Sequence, residues 1–174
     1  YGLLGPGSLL GHGIHLSDAE LAVIAERRAH VVFCPTSNLF LGSGLLDLAR
    51  LDAAGVDVAM ATDVGGGTSL SMLTTAAEAY KVLQLQGQPL SAGRALFLAT
   101  LGAAEALGID RHVGNFLPGK EADFVVLEPR AAALTARRDA HAETLEERLF
   151  ALMTLGDDRH VAATAVNGAL YRQA

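Results

Sequence analysis

The 174 residues allow one domain with a sizeable core, since a chain of this length buries roughly 70% of its unfolded surface. Hydrophobic residues make up 51% and charged residues 18%, a balance that excludes disorder, and no apolar run reaches the ~18 residues that span a bilayer. Thirteen Lys and Arg against 19 Asp and Glu give a net charge of −6, and with no basic cluster interleaved with aromatics, nucleic acid is excluded as a partner class.

A lone cysteine, Cys34, can form neither an internal disulfide nor a thiolate-rich zinc site. That usage fits a reducing compartment, so a cytoplasmic location is expected. Tyr1 stands where an initiator Met would be and opens a patterned segment, which reads as a piece of a longer polypeptide.

Residues 8 to 107 alternate short apolar strands with helical segments, the rhythm of parallel strands joined by crossover helices. A first strand is expected over residues 8–11. Ser17 and Glu20 then make an S-x-x-E capping box for a helix whose Leu21, Ile24 and Ala25 share one face. The second strand, residues 31–34, ends at Pro35, which has no N–H to donate, and Thr36, Ser37 and Asn38 are expected in a polar loop. A short helix containing Leu45, Leu48, Ala49 and Asp52 stops at Gly55 in a left-handed cap, ahead of a third strand over residues 56–62.

Asp63 opens a glycine-rich loop. Leu70, Leu73, Ala77, Tyr80 and Leu83 keep helical spacing as far as Gly87, and one further helix is expected from about Ser91 to Leu107. Beyond Gly108 the texture changes to a small β appendage. It comprises a strand over residues 123–127, an Ala-rich surface loop or irregular helix over 130–142, and a helix capped by Thr144 and Glu147 that stops at Gly156. Residues 161–166 and 169–171 complete it as a hairpin turning at Asn167-Gly168.

His12 and Asp63 occupy equivalent places, each just past the C-terminal end of an expected parallel strand, where barrel enzymes keep their chemistry. An imidazole and a carboxylate brought together there can hold a metal or exchange protons with a bound water. The competing reading is a hydrogen-bonded loop histidine and a helix-capping aspartate, and the residues alone leave both open. His15 reads as a surface residue, while His30, His112, His141 and His160 share no ligand spacing and read as solvated or structural.

The loop from Asp63 to Ser69 could offer backbone N–H groups to an anion, but no Lys follows and the glycines do not fit G-x-G-x-x-G. A tight turn passing close to a ligand, with Thr68 or Ser69 as helix N-cap, is favoured. Cys34 has no evident partnering base and reads as a buried strand thiol rather than a nucleophile. Asn38 reads as a support for neighbouring loops rather than a catalytic group.

Gly11-His12-Gly13-Ile14-His15-Leu16-Ser17, Phe33-Cys34-Pro35-Thr36-Ser37-Asn38 and Ala61-Thr62-Asp63-Val64-Gly65-Gly66-Gly67-Thr68-Ser69 together closely resemble the guanine deaminase family of the amidohydrolase superfamily. Leu98-Ala99-Thr100-Leu101-Gly102-Ala103-Ala104 and Gly119-Lys120-Glu121-Ala122-Asp123-Phe124 extend the likeness, which weakens after about Pro129. Related deaminases and chlorohydrolases share the Cys-Pro-x-Ser-Asn segment; Asp63-Val64-Gly65-Gly66-Gly67 is what favours the guanine group. The cytidine-deaminase type of zinc site needs more cysteines than this chain has.

The resemblance implies an α/β fold: the C-terminal part of a (β/α)8 TIM-like barrel, strands six to eight with their helices, plus a small β appendage. Residues 1–108 would be the partial barrel and 109–174 the C-terminal helix and strands of a small β-sandwich domain. It also implies a mononuclear Zn2+ for which Asp63 is the matched ligand, the family's histidine ligands lying outside this chain. Asp63 would accept the proton of the attacking water and pass it towards the leaving amine. His12 would orient that attack on C2 of guanine, giving xanthine and ammonia, while the Glu that assists ring protonation is absent here.

Zinc in a catalytic site ordinarily takes three protein ligands, so the chain by itself is expected to be inactive. Expected partners are guanine, the N-terminal remainder of the polypeptide, and a second copy in a homo-oligomer, a dimer; nucleic acid and membrane are not expected. Two alternatives stand beside this reading: another amidohydrolase acting on a purine or triazine by deamination or dechlorination, and a catalytically inert half-barrel acting as an assembly module.

Overall fold

The computed structural model describes residues 2–172. Three strands, β1 (Leu9–Gly11), β2 (His30–Phe33) and β3 (Val58–Met60), form a parallel sheet in the order β1-β2-β3. Leu10 pairs with Val31, and Val32 with Ala59, so the three strands end side by side. That alignment places the residues after Gly11, Phe33 and Met60 at one edge of the sheet.

Helix α1 (Asp18–Glu26) makes the crossover from β1 to β2 and starts at the expected capping box. The Glu20 amide donates to Ser17 Oγ, and the Ser17 amide donates back to Glu20 Oε2 at 2.7 Å. Leu21 and Ile24 bury against Val31, Phe33 and Val58, whose alternation is lost because a parallel strand is covered on both faces.

Pro35 ends β2 as expected, but the residues after it are not a loop. They form helix α2 (Pro35–Leu41), with Cys34 as its N-cap rather than the last strand residue. The ring that blocks sheet pairing also presets φ for a first helical residue, so the same proline stops one element and starts the next. Thr36, Ser37 and Asn38 are buried in its first turns.

Helix α3 (Leu48–Ala53) begins after Leu45, because the Asp47 carboxylate caps it by accepting from the Arg50 amide at 2.9 Å. The third strand is shorter than expected and buried at all three positions. Helix α4 (Met72–Gln84) is capped by Ser71, not by Thr68 or Ser69; Ser69 Oγ instead accepts from the Ser71 amide at 3.0 Å. Its buried face, which includes Ala76, Ala79, Val82 and Leu83, joins the core around β1–β3.

The single helix expected up to Leu107 is two: α5 (Ala92–Ala99) and α6 (Leu101–Ala106). They break at Thr100, at φ −125° and ψ −93°, whose hydroxyl donates back to the Leu96 carbonyl at 2.6 Å. That side-chain bond competes with the helix ladder, a contest that spacing of apolar residues does not reveal.

The second sheet is antiparallel, with β4 (Phe124–Leu127), β5 (Val161–Val166) and β6 (Ala169–Arg172) in that order. Asn167 and Gly168 turn the β5–β6 hairpin with φ +47° and +77°, the left-handed pair that a two-residue turn requires. Helix α8 (Leu145–Leu155) carries the expected Thr144–Glu147 box and packs on the first unit. Its Phe150 meets Tyr80 edge to face at 5.1 Å, Glu146 accepts from the Ala92 amide at 2.8 Å, and Met153 enters the core.

The Ala-rich stretch contains a regular helix, α7 (Ala133–Asp139), ordered by two buried polar contacts. Thr135 Oγ1 lies 2.9 Å from Nε2 of His160, which is fully buried and structural. Asp139, buried at the end of α7, accepts from Arg130 Nε at 2.8 Å and has Arg148 Nε 2.6 Å from its other oxygen, an ionic contact outside hydrogen-bonding angles. His112 and His141 are exposed, and His30 is buried in β2. No helix among the described residues is long and apolar enough to cross a membrane.

The hydrogen bond from Arg130, with the Arg148 charge beside it, holds the Asp139 carboxyl below its ordinary value of 3.8. A carboxyl lowered by folding contributes stability that is present above the unfolded value and lost as pH falls through the folded one. Urea denaturation should therefore show a stability gap between the parent and Asp139→Asn that is complete near neutrality and closes as pH drops below about 3.8. A gap that is flat across that range would remove the carboxylate from this account.

Candidate functional site

His12 follows β1 directly and donates its amide to the Val32 carbonyl at 2.9 Å, so the sheet ladder continues through its backbone. Asp63 lies three residues past the end of β3. Both have left-handed backbones, with φ +70° at His12 and +50° at Asp63. A non-glycine residue held there costs on the order of 1–3 kcal/mol, and such strain gathers at sites where side-chain direction matters. The two side chains meet, His12 Nε2 lying 3.8 Å from Asp63 Oδ2, and both are a little over two-fifths exposed.

Cys34 completes the cluster. The donor atoms of His12, Cys34 and Asp63 all lie within 4.8 Å of one another. Each is the first residue, or nearly so, after one of the three parallel strands. The rule that drew attention to His12 and Asp63 applies equally to β2, and following it there would have found Cys34. Burial pushes the Cys34 thiol above its ordinary value of 9.0 and the Asp63 charge adds to that, against a hydrogen bond at the His12 backbone. The thiol is thus neutral at physiological pH and no nucleophile, although it has the neighbouring imidazole that its sequence context did not show.

Helix α2 supports this cluster from below. Asn38, almost wholly buried, places Oδ1 2.7 Å from His12 Nδ1. Thr36 Oγ1 donates to the Thr62 carbonyl at 3.1 Å, immediately before Asp63. Asp63 caps no helix, so the helix-capping alternative is set aside: Ser71 caps α4, and the Asp63 carbonyl accepts from the Gly67 amide within its own loop.

The glycines of that loop answer to α2. A Cβ at Gly67 would run into the Thr62 carbonyl oxygen and lie 2.8 Å from Thr36 Oγ1, and one at Gly66 would lie 2.6 Å from Ser37 Oγ. The close approach expected of this turn is therefore made to the protein itself. His15 stays apart from the cluster: its Nε2 lies 3.0 Å from the Ser43 carbonyl, on the exposed loop side.

The Asp63 carboxylate is a donor that suits zinc, with the His12 imidazole beside it, whereas Cys34, kept a neutral thiol, is not in the thiolate form that zinc binds. The residues present fit such a metal on one side.

The Amidohydrolase family profile matches residues 1–170, and the chain belongs to that family. Within it the similarity is to guanine deaminases in particular. The chain is 52% identical over 170 residues to the guanine deaminase of Escherichia coli K12, covering 98% of this chain and 39% of the relative. The E. coli guanine deaminase structure superposes with a TM-score of 0.98 at 51% identity, over 100% of this chain and 41% of that one.

A guanine deaminase from C. acetobutylicum, solved with guanine in its active site, matches at 29% identity and a TM-score of 0.82, over 97% and 40% of the two chains. An adenosine deaminase from Xanthomonas campestris, solved with bound zinc, matches at 29% and 0.81, over 97% and 38%. The chain thus spans about two-fifths of the length of the relatives it matches.

Substitution in the loop should separate the two glycines. Gly67→Ala puts Cβ against a backbone oxygen that cannot step aside and should cost about 1–3 kcal/mol, the usual range for overpacking. Gly66→Ala meets a serine hydroxyl that can rotate, so its loss should be smaller. Chemical denaturation of the two variants checks this order, and a reversed order would contradict the packing described.

Proposed function

We propose that the chain is the C-terminal part of a zinc-dependent guanine aminohydrolase, converting guanine and water to xanthine and ammonia, whose centre is completed by residues outside these 174. In this reading β1, β2 and β3 are strands six to eight of a (β/α)8 barrel. The observation that carries it is the meeting of His12 and Asp63 at the ends of parallel strands, in a chain 52% identical to a guanine deaminase.

Asp63 is the group that would hold zinc from this side of the barrel. When bound, zinc supplies the Lewis acidity that makes water a nucleophile near neutral pH. The chain's own residues would then move protons. Asp63 Oδ2 takes a proton from the attacking water and returns it to the amine leaving C2 of guanine, a general base turned general acid. His12 Nε2, 3.8 Å from that oxygen, orients the water by accepting a hydrogen bond from it.

Neither role needs a charged thiol, and the neutral Cys34 behind them adds no competing nucleophile.

Ammonia release by the full-length protein should be found with guanine and not with adenine, adenosine or cytosine. Asp63→Asn should lower turnover by on the order of 10²-fold or more, the scale of losing a positioned acid–base group. Retained turnover with a normal zinc content would refute the assignment of Asp63. A preference for adenosine over guanine would move the protein to a neighbouring deaminase.

A further inference from the structure

Asparagine is a mostly exposed residue type, yet Asn38 is 1% exposed beside a reactive pair. Its Oδ1 sits 2.7 Å from His12 Nδ1, at hydrogen-bonding distance, while its Nδ2 is buried with no partner among the described residues. An amide oxygen can only accept, so a bond at that distance puts the imidazole proton on Nδ1 and leaves the lone pair on Nε2. Nε2 is the nitrogen that faces Asp63.

Helix α2 is not free to move away. Pro35 fixes its first turn, Gly42 closes its last in the left-handed conformation, and Thr36 ties it to the Thr62 carbonyl.

We propose that Asn38 is a positioning residue that locks His12 in the Nδ1–H tautomer and fixes its ring plane, so that Nε2 is presented to the site as an acceptor. The effect on rate rests on the guanine aminohydrolase reading; the tautomer does not. A second-layer partner of this kind, which sets which nitrogen of a histidine acts, is commonly worth 10–100-fold in activity when removed.

Long-range 1H–15N correlation spectra of the full-length protein, labelled at histidine and recorded above the imidazole titration range, read the tautomer of His12 directly. The expected result is Nδ1–H in the parent, a mixture of both tautomers in Asn38→Ala, and a return to Nδ1–H in Asn38→Asp, which keeps an accepting oxygen. Steady-state kinetics should follow, with kcat down about 10–100-fold in Asn38→Ala, KM changed far less, and kcat partly restored in Asn38→Asp.

An Nε2–H tautomer in the parent, which would go with the amide turned over and donating through Nδ2, overturns the proposal. So does an unchanged tautomer in a folded Asn38→Ala. If Asn38→Ala does not fold, the parent spectrum and Asn38→Asp still decide. An Nδ1–H parent that turns over no guanine supports the lock and defeats the functional reading instead.

Discussion

The site depends on one constraint: helix α2 must lie hard against the loop that follows β3. Its first turn offers three consecutive polar side chains, Thr36, Ser37 and Asn38, and the core admits all of them. Thr36 holds the backbone entering Asp63, Ser37 occupies the space where a Gly66 side chain would be, and Asn38 reaches across to His12. Two strands that have no direct hydrogen bond to each other, β1 and β3, are thereby brought into a fixed relation at their ends. Buried polar groups are costly unless paired, and these pairings fall at the place where geometry is most demanding.

The arrangement also explains why the neighbouring residues are of such different kinds. Glycines at positions 66 and 67 make room, and a proline at 35 aims the helix. The buried thiol of Cys34, kept neutral by its surroundings, fills the middle of the cluster without adding charge. Farther away, α8 carries the same logic at larger scale. It is anchored in the first core by Phe150 and Met153, and its Arg148 is linked through Asp139 to Arg130 in the segment leading out of β4.

Much of this was legible in the residues. Parallel strand–helix rhythm, both S-x-x-E and T-x-x-E caps and the Asn-Gly hairpin are local signals that the structure keeps. Strand ends are readable, and the structure brings His12 and Asp63 together there with Asn38 against the imidazole. The failures have a common source. Thr36 to Asn38 resemble a loop because polar side chains are expected outside, and only the tertiary contacts with Thr62 and His12 make them helical and buried. The break at Thr100, the order in α7 and the place of Cys34 in the cluster likewise depend on partners distant in sequence or on competition for one carbonyl.

The left-handed backbones of His12 and Asp63 set stability against use. Glycine at either position would relieve the strain and delete the side chain that the strain displays. Selection for heat resistance alone would therefore tend to discover inactive proteins first, with gains at these two positions that look attractive in a melting curve. Thermal improvement of this scaffold is better sought on the far side of the core, where α8 packs on α4 and no residue is held in an unfavourable conformation for the sake of chemistry.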